Sequence, residues 1–139
     1  MEFRKFGNKY ILRLDRGEEI VSTLKKFCIK QKIKLGTIKG LGAADKVSIG
    51  LFKTKEKKYV EQEFNGDYEI SPLYGNISTM KGEVYLHIHI NIADPKQNSY
   101  GGHLSRAVVS ATFEAVIDAV DGSVDRAFSE EIGLNLYKF

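Results

Sequence analysis

The chain has 139 residues, 42% of them apolar and 28% charged, with two prolines, no tryptophan and no low-complexity or repeated segment, which excludes a disordered chain or a solenoid and predicts one compact domain over residues 1–139. Its formal charge of +3 and pI of about 8.9 permit attraction to nucleic acid but fall short of a dedicated basic protein. No stretch approaches the roughly 18 consecutive apolar residues of a membrane span, and Met1 to Tyr10 lacks the apolar core of a secretory signal, so a cytoplasmic protein without membrane contact is expected.

KYILRL (9–14) is a short apolar-rich strand ending at Asp15. Asp15, with Glu18 three residues on, has the spacing of an N-cap and its capping-box partner, which predicts a helix over about 17–31. Ile20, Val21, Leu24, Phe27 and Cys28 then fall on one buried stripe, with Lys25, Lys26 and Lys30 outside it. Cys28 is the only cysteine and sits on the buried face, which makes it a packed, inert thiol. Beyond the helix the period changes to two: Ile33–Leu41, Lys46–Phe52, Lys58–Phe64, Tyr68–Met80, Glu83–Ala93 and Leu104–Ala119 read as strands. Turn signals separate them, among them Asn65-Gly66-Asp67 and Lys81-Gly82. The tail adds a turn and a last short strand, Leu134–Lys138. The predicted class is α+β, a mostly antiparallel sheet with one main helix packed on it. The lysines of KTKEKK (53–58) and of 25–34 read as solvated surface, since no aromatic is interleaved to stack bases and no arginine cluster forms a phosphate clamp.

All three histidines of the chain lie within YLHIHINIADPKQNSYGGHL (85–104). In the strand 83–93 the even positions, Val84, Leu86, Ile88, Ile90 and Ile92, own one face, so His87 and His89 leave the aliphatic face together, roughly 7 Å apart along the strand. His103 follows after ADPKQNSYGG, where Gly101 and Gly102 allow a tight turn back beside another strand. Three neutral imidazoles with an open fourth position suit zinc or another borderline divalent metal. A hydrogen-bonded polar cluster at a subunit interface, or three unrelated surface positions, are the competing readings. On the next strand Glu114 falls on the polar side. It is a candidate fourth ligand, a partner orienting an imidazole, or a general base, and equally a surface carboxylate paired with Arg106 or a lysine. Asn91 and Asp94 are weaker candidates, and a turn-initiating role before Pro95 accounts for Asp94.

The order LDRGEE, KGLGAADKVSIGLF, YEISPLYGNIS, LHIHINIAD, GGHL and VVSATFEAVI resembles the plants-and-prokaryotes-conserved (PPC) domain in its bacterial and archaeal single-domain form, from about Tyr10 to Leu136. The resemblance implies a compact α+β domain that assembles as a homotrimer. It also implies that His87, His89 and His103 match the histidines of the family's HxH and GGH motifs, where a metal, zinc by expectation, is held. The family's link to DNA comes mainly from plant members that carry AT-hooks, and this chain has no RGRP-like segment, although prokaryotic members are commonly described as predicted DNA-binding proteins. Cupins also carry HxH on a strand followed by a glutamate; here that position is Asp94 and a second cupin motif is missing. Two functions stand at this point. One is a trimeric binding or regulatory module associated with DNA or a small-molecule ligand; the other is a small zinc-dependent enzyme whose three-histidine site activates water with Glu114 moving protons.

Overall fold

A computed structural model describes residues 1–139. Eight strands and one helix follow in the order β1 (Glu2–Phe6), β2 (Lys9–Asp15), α1 (Ile20–Lys30), β3 (Gly36–Lys53), β4 (Lys58–Met80), β5 (Glu83–Ala93), β6 (Ser99–Ala119), β7 (Asp125–Ser129) and β8 (Leu134–Lys138). All strands belong to one sheet in the order β1-β2-β6-β3-β4-β7-β8, with β5 pairing both β4 and β6. The pairings β3 with β4, β4 with β5, β5 with β6, and β6 with β3 therefore form a closed circuit of four strands. Alternation puts one face of each of these strands inside, and 25 buried apolar residues form one cluster there.

The helix covers this core. Ile20, Leu24, Phe27 and Cys28 are its buried residues, at the spacing that keeps side chains on one stripe. Phe27 meets Tyr10 of β2 and Phe3 of β1 edge-on, with ring centroids 5.5 and 5.0 Å away, which ties the helix to the sheet's first hairpin. The helix starts later than its sequence signal and is capped by Glu19, whose carboxylate accepts from the backbone N–H groups of Val21 and Ser22 at 3.0 and 2.7 Å. Asp15 and Glu18 do interact, since Glu18 accepts from the Asp15 backbone N–H at 2.8 Å, but this contact closes the turn ahead of the helix. Glu19 wins the capping role because the same carboxylate also accepts from the Ala107 N–H of β6 at 3.2 Å, anchoring the helix start to the sheet.

The strands are longer than their turn signals indicate. Ile33–Leu41 and Lys46–Phe52 fuse into β3, and Lys58–Phe64 and Tyr68–Met80 into β4, with Asn65-Gly66-Asp67 forming a bulge instead of a turn. Bulges bend a long strand and let it stay wrapped around a small core. A further irregularity in β6, between the partners of Ala44 and Gly42, leaves Ala111 exposed although its odd-numbered neighbours Val109 and Phe113 are buried. Lys81-Gly82 is a two-residue hairpin with positive φ at both positions, 54° and 83°, as expected of a tight β4–β5 connection. The sheet is mixed, not purely antiparallel: β7 runs parallel to β4 at Thr79 and Met80. The reason is positional, because β3 starts at Gly36 opposite Ile77 and leaves the end of that β4 edge free for β7 to take. No helix is long and apolar enough to cross a membrane.

Candidate metal centre

His87 and His89 alternate with the buried Ile88 and Ile90 on β5, so both imidazoles emerge from the outer face of the strand. β5 and β6 then form a hairpin whose register sets His89 opposite His103. Its loop is organised by Asp94, whose carboxylate accepts from the Lys96 and Asn98 backbone N–H groups at 2.8 and 2.9 Å, from the Asn98 side chain at 3.0 Å and from the Tyr100 hydroxyl at 3.2 Å. Asp94 is thereby occupied as a turn organiser. Asn91 accepts from the Ser99 hydroxyl at 3.1 Å and braces the same hairpin.

Gly101 and Gly102 are not the turn; both are strand residues at a crowded crossing. A Cβ on Gly102 would stand 2.7 Å from the Gly50 carbonyl oxygen and 2.8 Å from Ile49 Cγ2, and one on Gly101 would stand 3.1 Å from the Ile90 carbonyl oxygen. Here β6 leaves β5 and joins β3, and His103 is the residue at the junction, in register with His89 on one side and Gly50 on the other. Glycine permits that approach because it has no side chain to hold the three backbones apart.

The three imidazoles converge. Ring centroids are 5.1 Å apart for His87 and His89, 5.4 Å for His87 and His103, and 5.7 Å for His89 and His103. One nitrogen from each lies within 4.8 Å of those of the other two. Two nitrogens on one ion at about 2.1 Å each stand at most roughly 4.2 Å apart, so small ring rotations bring the set to ligating distance. His87 and His103 are partly buried and His89 is exposed. Burial first, then the neighbouring imidazoles His103 and His89 and the cation of Arg126, push His87 down to about 4. His103 is lowered too, by burial and then His89, with Glu61 pulling the other way. Both are neutral at physiological pH, with lone pairs available to a metal. His103 Nδ1 is buried without a hydrogen-bond partner, an arrangement that costs about 1–3 kcal/mol unless something binds there. Three convergent imidazoles, one with an orphaned nitrogen, fit a borderline divalent ion.

Glu114 is not gathered into this cluster. It pairs with Arg13 of β2 and Leu41 of β3, and β3 and β4 then intervene before His89, a separation of roughly 14 Å at the spacing of adjacent strands. Sequence reasoning put it near the histidines because both lie on polar faces, but the strand that carries them pairs with the opposite end of β6. The carboxylate that does act on the cluster is Glu61, which flanks Gly50 on β4 while His103 flanks it on β6. Nothing local in KYVEQEF distinguishes Glu61, and only the register reveals it. Tyr59, whose ring centroid lies 5.6 Å from that of His103, is another residue the sequence did not single out. Cys28 is buried and its thiol is pushed up to about 12 by burial, so it is inert packing.

Residues 1–121 match the Plants and Prokaryotes Conserved (PCC) domain. The chain belongs to this family. Among solved structures, the PCC-domain chain is similar to a candidate DNA-binding protein from Bacteroides thetaiotaomicron at 36% identity, covering 99% of this chain and 96% of the other, with a TM-score of 0.97. It is similar to a metal-containing protein from Archaeoglobus fulgidus at 33% identity, with 99% and 97% covered and a TM-score of 0.88. It is also similar to a plant- and prokaryote-conserved protein from Pyrococcus horikoshii at 29% identity, with 99% and 95% covered and a TM-score of 0.87. No curated protein matches.

Proposed function

We propose that this PCC-domain chain acts as one domain over residues 1–139, holds one divalent metal ion on His87, His89 and His103, and works as a homotrimeric regulatory or binding module associated with DNA in the cytoplasm. The observation that carries the metal reading is the convergence of three imidazoles, one with a buried nitrogen that has no partner. Zinc is the metal that this donor set favours. The Archaeoglobus relative is a metal-containing protein, and the Bacteroides relative is a candidate DNA-binding protein. Large apolar side chains left open on the sheet, such as Leu51 at 65% and Phe128 at 55% exposure, support burial between subunits. Any DNA contact is electrostatic, through the positive formal charge and exposed lysines such as Lys25, Lys26 and Lys30, because the chain has no AT-hook.

A second reading, a small metal-dependent hydrolytic enzyme, is favoured by a cleft of about 360 Å³ lined in part by His87 and His89. A bound divalent ion would supply Lewis-acid chemistry there. The chain's own contribution is weak in a proton-transfer group, since Glu114 stands strands away and Glu61 is on the far side of His103. The binding module is therefore preferred.

Metal analysis of the purified protein and of the His87→Ala/His89→Ala variant tests the site. One ion per chain is expected in the wild type and none in the variant; unchanged metal content in the variant overturns the assignment. A gel shift with duplex DNA at increasing salt tests the nucleic-acid association. Retention at low salt that collapses steeply as salt rises is expected, and no retention at the lowest salt overturns it.

A further inference from the structure

The strand register builds a patterned surface next to the histidines. His89, Tyr74 and Lys39 lie in one row across β5, β4 and β3, and His87, Asn76 and Thr37 lie in the next. All six side chains are on the outer face, because the residues that alternate with them, Ile38 and Ile88 among them, are buried. The cleft of about 360 Å³ between these rows contains one formal charge, the Lys39 ammonium, and no carboxylate. Lys39 and Tyr74 also line an adjoining groove of about 350 Å³, whose wall is made by Leu41, Pro72 and Val116, with the Glu114 carboxylate on the strand position opposite Leu41. A polar compartment whose one charge is positive thus opens onto a mainly apolar groove, in which Glu114 lies one row further from the histidines than Lys39.

Beside the histidine cluster the protein keeps a positive charge that it does not neutralise. Arg126 is 7% exposed, its Nε donates to Ser78 Oγ at 2.8 Å and its Nη1 to the Asn135 carbonyl at 2.8 Å, and its guanidinium lies against the rings of Tyr85 and Tyr137 at 5.0 and 4.2 Å. No carboxylate pairs with it within ion-pair distance. Tyr85 precedes His87 by one alternation on the same face of β5, so this charge sits beside the cluster, where it adds to the lowering of His87. An unneutralised cation beside the cluster favours an anion at His87 over a second cation.

We propose that the cleft captures a small organic acid, its carboxylate held between the histidine cluster and Lys39 and its hydrocarbon body laid along Tyr74, Leu41 and Pro72. The inference rests on the metal reading above, since an ion on the three histidines is the second positive partner of the carboxylate. Phosphate lacks the body that would use the apolar groove, and a neutral amide lacks the charge that Lys39 would pair with.

Cobalt(II)-loaded protein, whose visible absorption reports changes in the ligand shell, is titrated with acetate, butyrate, hexanoate, hexanamide and inorganic phosphate. Hexanoate is expected to bind more tightly than acetate, by up to about fourfold for each added methylene that the groove buries, and hexanamide and phosphate are expected to bind more weakly than hexanoate. Lys39→Ala is expected to weaken hexanoate by roughly tenfold or more with cobalt uptake and thermal midpoint unchanged, and Lys39→Arg to retain most of the affinity. Leu41→Ser is expected to flatten the chain-length series while leaving acetate unaffected. Normal cobalt uptake with hexanoate affinity insensitive to Lys39→Ala, or no stronger than that of hexanamide or phosphate, overturns this inference alone. Absence of cobalt uptake overturns the metal reading and this inference with it.

Discussion

His87 concentrates the electrostatics of the site: its ring is partly buried, two other imidazoles lie within 5.4 Å between centroids, and the Arg126 cation is near. Each of these opposes a proton, which is why the imidazole is pushed down to about 4 from an ordinary value of 6.5. The unfolded chain regains the ordinary value, so below it the unfolded state binds the proton that the folded state refuses. Stability from this group is therefore complete above about 6.5 and is lost progressively as pH falls to about 4, below which both states are protonated. His103, lowered mainly by burial, acts in the same direction. Asp94, held below its ordinary 3.8 by hydrogen bonds from Asn98, acts only at still lower pH and does not confuse the window. Denaturant midpoints of metal-free protein measured from neutrality down to the folded value are expected to fall, and to fall less in His87→Gln. Parallel pH profiles for the two proteins would mean that His87 is not the group responsible.

At the scale of elements, the hairpin of β5 and β6 decides whether there is a site, and its crossing with β3 is the tight point. A methyl group at Gly102 would press on the backbone carbonyl of Gly50, which cannot rotate away, whereas one at Gly101 meets Ile90 and Asn91 at more tolerable distances of 3.1 and 3.3 Å. Gly102→Ala is expected to cost about 1–3 kcal/mol in denaturant unfolding, more than Gly101→Ala, and to reduce metal uptake because His103 follows directly. Equal unfolding free energies for the two variants would show that the crossing is not constrained. Much of this element-level architecture is legible in the chain itself. The stripe Ile20, Leu24, Phe27, Cys28 locates the helix, and the alternation from Val84 to Ile92 sends His87 and His89 outward. What is illegible depends on partners distant in sequence. Glu114 and Glu61 exchange importance once the register of β6 and β4 on β3 is known. Asn65-Gly66-Asp67 has turn chemistry, yet pairing to β3 on both sides turns it into a bulge. The short strands β1 and β7 have little alternation of their own and exist because β2 and the free end of β4 offer them edges.

For the whole molecule, the two readings of the histidines, a metal site and a polar cluster completed at a subunit interface, make different demands on assembly. All three come from one chain and from one hairpin, so the proposed metal site would take no ligand from a second copy. An ion that binds the folded chain and not the unfolded one stabilises it by RT ln(1 + [L]/Kd), about 2.7 kcal/mol at a free concentration one hundred times Kd. On the proposed site it would do so locally by joining β5 to the start of β6, the segment that then runs on between β2 and β3 through the centre of the sheet. Zinc is therefore expected to raise the thermal midpoint of wild-type protein and a chelator to lower it, with no response in the His87→Ala/His89→Ala variant. Stoichiometry measured by equilibrium dialysis is expected to stay at one ion per chain as the protein is diluted through any dissociation seen by sedimentation. Uptake that disappears together with the assembly would instead assign the histidines to a site shared between subunits.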